Sequence, residues 1–251
     1  MKKHTLITYL LLLTFGLSAQ NNKFEEANKL FEEKEYAEAI NLYESILNSG
    51  EESAALYYNL GNAYFRIGEK ARAILNYERS LLLEPNNEDA KFNLEFTRTQ
   101  IVDQIDALDT FFLKSWINDL SEWMSSNSWA MLSIAAFLMF IAISFLYVFG
   151  KSRSVKKAAF SVGVLLFCIS LSSFFLAKYQ KDKYVNNQYA IILDSTLTVK
   201  GSPDESGTDL FPLHEGTKVR IKSIFGSKEW VEIQLEDGNT GWVKAHSIEK
   251  I

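Results

Sequence analysis

Three histidines, one cysteine and several glutamate pairs are the residues best able to carry out chemistry in this chain, and their spacing argues against it. His4, His214 and His246 lie far apart and Cys168 is the only thiol. That excludes a zinc-type Cys/His arrangement, an intramolecular disulfide and a Cys–His nucleophile pair for a cell-wall peptidase. No glycine-rich phosphate loop and no nucleophile elbow is present. Glu25-Glu26, Glu32-Glu33 and Glu51-Glu52 are sequence neighbours, which on a helix point in different directions and read as solvated faces. What recurs at fixed spacing is a set of rings and amides. Phe24, Tyr58 and Phe92 lie 34 residues apart, as do Asn28, Asn62 and Phe96, and Phe31, Phe65 and Thr99; Arg66 is the only nearby cation. Such a set binds a chain segment and transfers no group, so neither catalysis nor a cofactor is expected.

The elements that must position these residues follow from the same period. Tyr57-Tyr58-Asn59-Leu60-Gly61-Asn62-Ala63-Tyr64, followed by Gly68, Ala73, Tyr77 and Pro85, resembles the tetratricopeptide consensus. Gly61 and Ala73 are small where two helices cross, Tyr64 and Tyr77 fill the flanking space, and Pro85 ends the second helix. Ala27, Leu30, Ala39 and Tyr43 form a weaker copy 34 residues earlier, while Leu94 and Arg98 mark a fading third. The third unit reads as a lone capping helix, since a solenoid needs a closing element. The repeats are thus expected over residues 20–100. The resemblance implies that the first helix of each repeat lines a concave face, with Phe24, Asn28, Phe31, Tyr58, Asn62, Phe65, Arg66 and Phe92 as the partner-binding groove. It departs from the carboxylate-clamp members, which place Lys and Arg here, so a terminal-carboxylate ligand is not expected.

Two uncharged stretches, 129–149 and 158–177, are each long enough to cross a bilayer core of roughly 30 Å. They predict a transmembrane hairpin whose loop, 150–157, carries Lys151, Arg153, Lys156 and Lys157 and no acid; that places the loop in the cytoplasm. Cys168, within the second stretch, is expected to be a small buried apolar residue. Residues 1–19 read as an export signal: Lys2, Lys3 and His4, then a short apolar core, then Gly16, Ser18 and Ala19. An uncleaved anchor is the alternative. Between repeats and hairpin, 101–128 reads as an amphipathic helix, with Ile105, Leu108, Phe112, Trp116, Leu120 and Trp123 at three- and four-residue spacing. It either lies in the membrane interface, the reading favoured by its tryptophans, or extends the last repeat helix.

Residues 188–251 change character to short β-type runs punctuated by glycine. Leu213-His214-Glu215-Gly216-Thr217-Lys218-Val219, Trp230-Val231-Glu232-Ile233 and Asp237-Gly238-Asn239-Thr240-Gly241-Trp242-Val243 resemble bacterial SH3-type (SH3b) domains. The expectation is a small closed β-barrel with Val219, Ile221, Val231 and Ile233 inside. Trp230 is assigned mainly to the fold, and Trp242, Phe211 and Phe225 to a ligand surface. His214 and His246 are expected at the surface or barrel rim.

The fold class expected is therefore a multidomain membrane protein: an all-α repeat solenoid, a two-helix transmembrane hairpin and an all-β SH3-like barrel. Its net charge of −5, with −6 over 20–100 and −3 over 188–251, argues against a nucleic-acid partner, because phosphate binding needs a basic face. The order of signal, repeats, hairpin and SH3b resembles the BatE proteins of the Bat aerotolerance-operon family. That resemblance implies a bacterial envelope protein in the cytoplasmic (inner) membrane, both soluble parts facing the periplasm. It also implies partners among membrane proteins with von Willebrand A domains and a MoxR-type ATPase system. Its function would be that of an interaction scaffold, with peptidoglycan sensing through the SH3b part as the alternative.

Overall fold

A computed structural model describes residues 23–105, 112–226 and 229–251; the expected export signal, 1–19, lies outside the described residues. The N-terminal helices are α1 (23–32), α2 (Tyr36–Asn48), α3 (Ala54–Arg66), α4 (Lys70–Leu83) and α5 (Glu88–Arg98). Ser53 starts α3 by accepting the Leu56 N–H (3.1 Å), and Asn87 starts α5 by accepting that of Ala90 (2.9 Å), each satisfying a donor the helix leaves open. The period of 34 is visible in the backbone. The Lys34 and Gly68 N–H groups donate to Phe31 and Phe65 (3.1 Å each), and those of Glu35 and Glu69 to Leu30 and Tyr64 (2.9 and 3.0 Å). Both turns need a left-handed residue: Gly68 has φ 87° and Lys34, in the weaker copy, has φ 69°. A Cβ on Gly61 would stand 2.7 Å from the Tyr77 ring and 3.3 Å from the Ala73 carbonyl, so α3 and α4 cross at backbone range. Leu60, Ile74 and Tyr77 are fully buried around that crossing, each contributing about 1.5–3 kcal/mol.

The C-terminal part is one antiparallel sheet: β1 (Tyr189–Ile192), β2 (Thr196–Lys200), β3 (Asp209–His214), β4 (Lys218–Phe225), β5 (Trp230–Gln234), β6 (Thr240–Lys244) and β7 (Ile248–Lys250). Its order is β3-β2-β6-β5-β4-β1-β7. Val219, Ile221, Val231 and Ile233 are buried in its core with Val199 and Val243. In place of the closed barrel expected from the sequence, the ladder of the described residues is open, with β3 and β7 as edges. β1 accounts for this. It pairs with β4 on one side and β7 on the other, and no strand is left to join β7 to β3.

The helices α1–α5 and the sheet form one compact unit. β1 alternates between two cores: Ala190 and Ile192 point into the sheet, whereas Ile191 joins the helical core with Ile74 and Tyr77. In register beside Ile191 stand Lys218 on β4 and Glu249 on β7. Lys218 Nζ reaches both Glu78 carboxylate oxygens (2.8 Å each), and Arg79 pairs with Glu249 (2.9 Å). Glu78 also receives Arg98. At the β3–β4 turn, Asp103 accepts the His214 N–H and the Thr217 hydroxyl (2.7 Å each) and meets His214 Nδ1 at 2.8 Å. Burial alone would raise the Asp103 carboxyl. The hydrogen bonds from His214 and Thr217 outweigh it and hold the group below the usual carboxylate range. Gly216, at φ 87°, lets that turn sit on Ile101 and Ile74; a Cβ would come within 2.8 and 3.1 Å of them. His214, the last residue of β3, is half-buried in this contact.

The second unit contains α6 (Phe112–Glu122), α7 (Ser126–Phe149) and α8 (Arg153–Val185). Helices α7 and α8 are long and apolar enough to cross a membrane. Both overrun the uncharged stretches, and α8 starts at Arg153, so the joint is only Gly150–Ser152 and carries Lys151 alone. Arg153, Lys156 and Lys157 lie on the first turns of α8. The two helices meet through small residues. Ser133 Oγ donates to the Ser170 carbonyl (2.8 Å) and Ser170 Oγ to that of Ser133 (2.9 Å), with Ala136, Gly163 and Ser173 buried along the seam. Small residues of this kind let two helix backbones approach closely. Cys168 is exposed on α8 and not buried as expected, because the serine and glycine positions occupy the seam and turn it outward.

Candidate functional site

The first helices of the repeats bring most of the spaced rings together. Phe31 from α1, Tyr58, Asn62, Phe65 and Arg66 from α3, and Phe92, Asn93, Phe96 and Thr97 from α5 line a cavity of about 310 Å³ floored by Tyr77. Phe92 and Phe96, one turn apart on α5, stack with ring centres 6.3 Å apart, and Phe96 meets Phe65 at 5.9 Å. Their outer faces are bare: Phe92 is 68% and Phe96 50% exposed. A groove of this kind holds apolar side chains on ring faces. Arg66 is its only charged lining residue.

Two predicted members sit elsewhere. Phe24 packs into the helical core, 6.0 Å from the Tyr43 ring. Asn28 Oδ1 accepts the Tyr43 hydroxyl (2.8 Å) and the Asn59 amide (2.9 Å). Asn62 repeats the pattern 34 residues on, accepting the Tyr77 hydroxyl and the Asn93 amide at 2.8 Å each. The amides therefore tie consecutive hairpins together, and Asn62 shows the groove only its flank. Burial pushes the Tyr43 hydroxyl up to about 12 and raises that of Tyr77 further, so both stay protonated and donate. The sequence signal for this was present: Asn59 and Asn93 are also 34 apart.

Tyr58 is a mixed case. Its ring is in the groove, but it packs 6.1 Å from Tyr77 and its hydroxyl accepts from Asn93 (3.3 Å).

On the sheet, Phe225 and Trp242 meet edge-to-face at 6.0 Å, with Phe225 55% exposed. Phe211 instead packs against the sheet core. Trp230 is buried, with the Lys244 ammonium 5.9 Å from its ring centre.

Residues 54–87 match the tetratricopeptide repeat family, which includes α3 and α4. The chain is also similar to sperm-associated antigen 1 of Rattus norvegicus, with 30% identity over 74 residues. That stretch is 30% of this chain and 8% of the rat protein, so only a small part of the rat protein is spanned. The chain thus contains a tetratricopeptide repeat, a protein-interaction module, together with two apolar helices and a C-terminal all-β sheet.

Proposed function

We propose that the protein is a membrane-anchored, non-enzymatic scaffold that recruits a protein partner through the aromatic groove of its repeats. The observation that carries this reading is the bare Phe92–Phe96 stack beside Phe65, Tyr58 and Arg66. Rings left open to water at the mouth of a cavity are anchor sites for another chain. Phe24, Asn28 and Asn62 act in support of this wall, and Phe31 flanks it. Hairpin α7–α8 spans the cytoplasmic membrane, with the Lys151 joint inside and both soluble parts in the periplasm. The order of parts that resembles the BatE proteins supports an envelope complex containing von Willebrand A-domain proteins and a MoxR-type ATPase. The SH3b-like motifs and the pair of exposed Phe225 and half-buried Trp242 support a second reading, a cell-wall contact through the sheet, with Trp242 and Phe225 as its surface and Phe211 packed against the sheet core.

Partner capture from solubilised membranes tests the groove. Phe92→Ala with Phe96→Ala should weaken capture at least tenfold, since each such anchor contributes on the order of 2 kcal/mol. The melting temperature of the repeats should be unchanged because both rings are exposed. Unchanged capture would remove the groove from the function. A cysteine at Ser53 should react with an impermeant reagent once the outer barrier is opened; protection would overturn the topology.

A further inference from the structure

Helix α6 has two faces of opposite kind. One grips α8: the Tyr179 hydroxyl donates to Asn118 Oδ1 (2.6 Å), Lys183 pairs with Glu122 (2.8 Å), and the Gln180 amide donates to the Ser121 carbonyl. That carbonyl also accepts the indole N–H of Trp129 on α7 (3.0 Å). The other face carries Trp116, Leu120 and Trp123, the tryptophans 74% and 71% exposed. At 3.6 residues per turn Trp116 and Leu120 lie about 40° apart, roughly opposite the gripping residues, and Trp123 follows directly on the last residue of the helix.

We infer that this exposed stripe rests in the boundary between lipid headgroups and acyl chains, making α6 a third membrane contact alongside the two spans. The inference depends on α7 and α8 crossing the bilayer. The register then sets the depth of α6. The uncharged run of α8 ends at Ala177, and α6 is held at Tyr179, Gln180 and Lys183, about 3–9 Å further along at 1.5 Å per residue. The headgroup layer on each side is about 5–7 Å thick, so Tyr179 and Gln180 hold α6 within it and Lys183 holds it just past its outer edge. Asn118 lies beside Tyr179 and Glu122 beside Lys183, so the two helices run in the same sense. Trp116 is therefore nearer the acyl chains than Trp123. Tryptophan is the side chain enriched at this level, where an apolar ring body and a polar N–H are both accommodated. Most of the large apolar side chains of α7 and α8 are exposed as well, so a stripe at this depth would face the same lipid as they do.

Accessibility of spin labels in the full chain, reconstituted in lipid nanodiscs, tests this. A label on native Cys168, exposed on α8, should favour oxygen over a water-soluble nickel complex and thereby report the span. In a Cys168→Ala background, labels at Trp116→Cys and, separately, Leu120→Cys should also favour oxygen, at shallower depth than Cys168. Labels open to the nickel complex would place the stripe in water; labels reached by neither reagent would place it under protein. Either result overturns the inference, while a Cys168 label open to the nickel complex would overturn the span itself. As a check without cysteines, lipids brominated near the headgroup should quench the intrinsic fluorescence of the unsubstituted protein. Trp116→Phe with Trp123→Phe should lose most of that quenching, and unchanged quenching also overturns the inference.

Discussion

Replacing Asn62 with Ala separates a supporting role from a ligand contact. Asn62 Oδ1 is the acceptor for the Tyr77 hydroxyl and the Asn93 amide, at 2.8 Å each. Tyr77 is 1% exposed, so its nearly buried hydroxyl loses its partner at about 1–3 kcal/mol. Asn93 is only partly buried and recovers most of its loss from solvent. Alanine returns about 0.5 kcal/mol through its better helix propensity. The net expectation is about 1–2 kcal/mol of destabilisation, or roughly 3–8 °C in Tm for a unit of this size. Thermal unfolding of the full chain in detergent, followed by circular dichroism, reads the shift. Tyr77→Phe removes the same donor, so the double variant should lose less than the two singles together, by about 1 kcal/mol. A variant that melts like the unsubstituted protein but captures partner poorly would refute the reasoning and make Asn62 a ligand contact.

Three further outcomes follow from particular residues. Glu78→Gln removes the charge that Lys218 and Arg98 share. It should lower the urea midpoint by about 2 kcal/mol equivalent, less than a fully buried pair because Arg98 is partly solvated. Lys34→Gly places the residue suited to φ 69° at the turn where the better repeat has Gly68. It should raise Tm by an amount equivalent to about 0.5–1 kcal/mol. The Tyr43 hydroxyl, at about 12 by burial, is neutral in the fold and ionises more easily in the unfolded chain. Its contribution is therefore complete below pH 10 and lost as pH rises through 12, and alkaline titration of far-ultraviolet dichroism should show the repeats unfolding across that window.

Much of the architecture is written in local order. The 34-residue period determined the paired helices, because small, bulky and turn residues recur wherever the same crossing is rebuilt. Two uncharged runs of helical length were enough to mark α7 and α8, and glycine-punctuated apolar runs to mark the strands. The groove was partly legible for the same reason: positions 34 apart fall on one wall, and Tyr58, Phe65, Arg66 and Phe92 gather there.

Only the tertiary structure decided what those residues do. Phe24 and Asn28 share the period with the groove but sit outside it, and Asn62 lines it while tied to Tyr77 and Asn93, since which flank of a helix meets its neighbour depends on how the hairpins stack. The docking of sheet on helices was hidden more deeply. Glu78, Arg79, Lys218 and Glu249 look like solvated surface in sequence, and they become partners only when strands from 140 and 170 residues away bring them into reach. One local trace of it existed: Ala190-Ile191-Ile192 is apolar without alternation, as a strand must be when it has a core on each face. The pairing itself had no such trace, because complementary charges attract at whatever positions folding places them, and no periodicity records that choice.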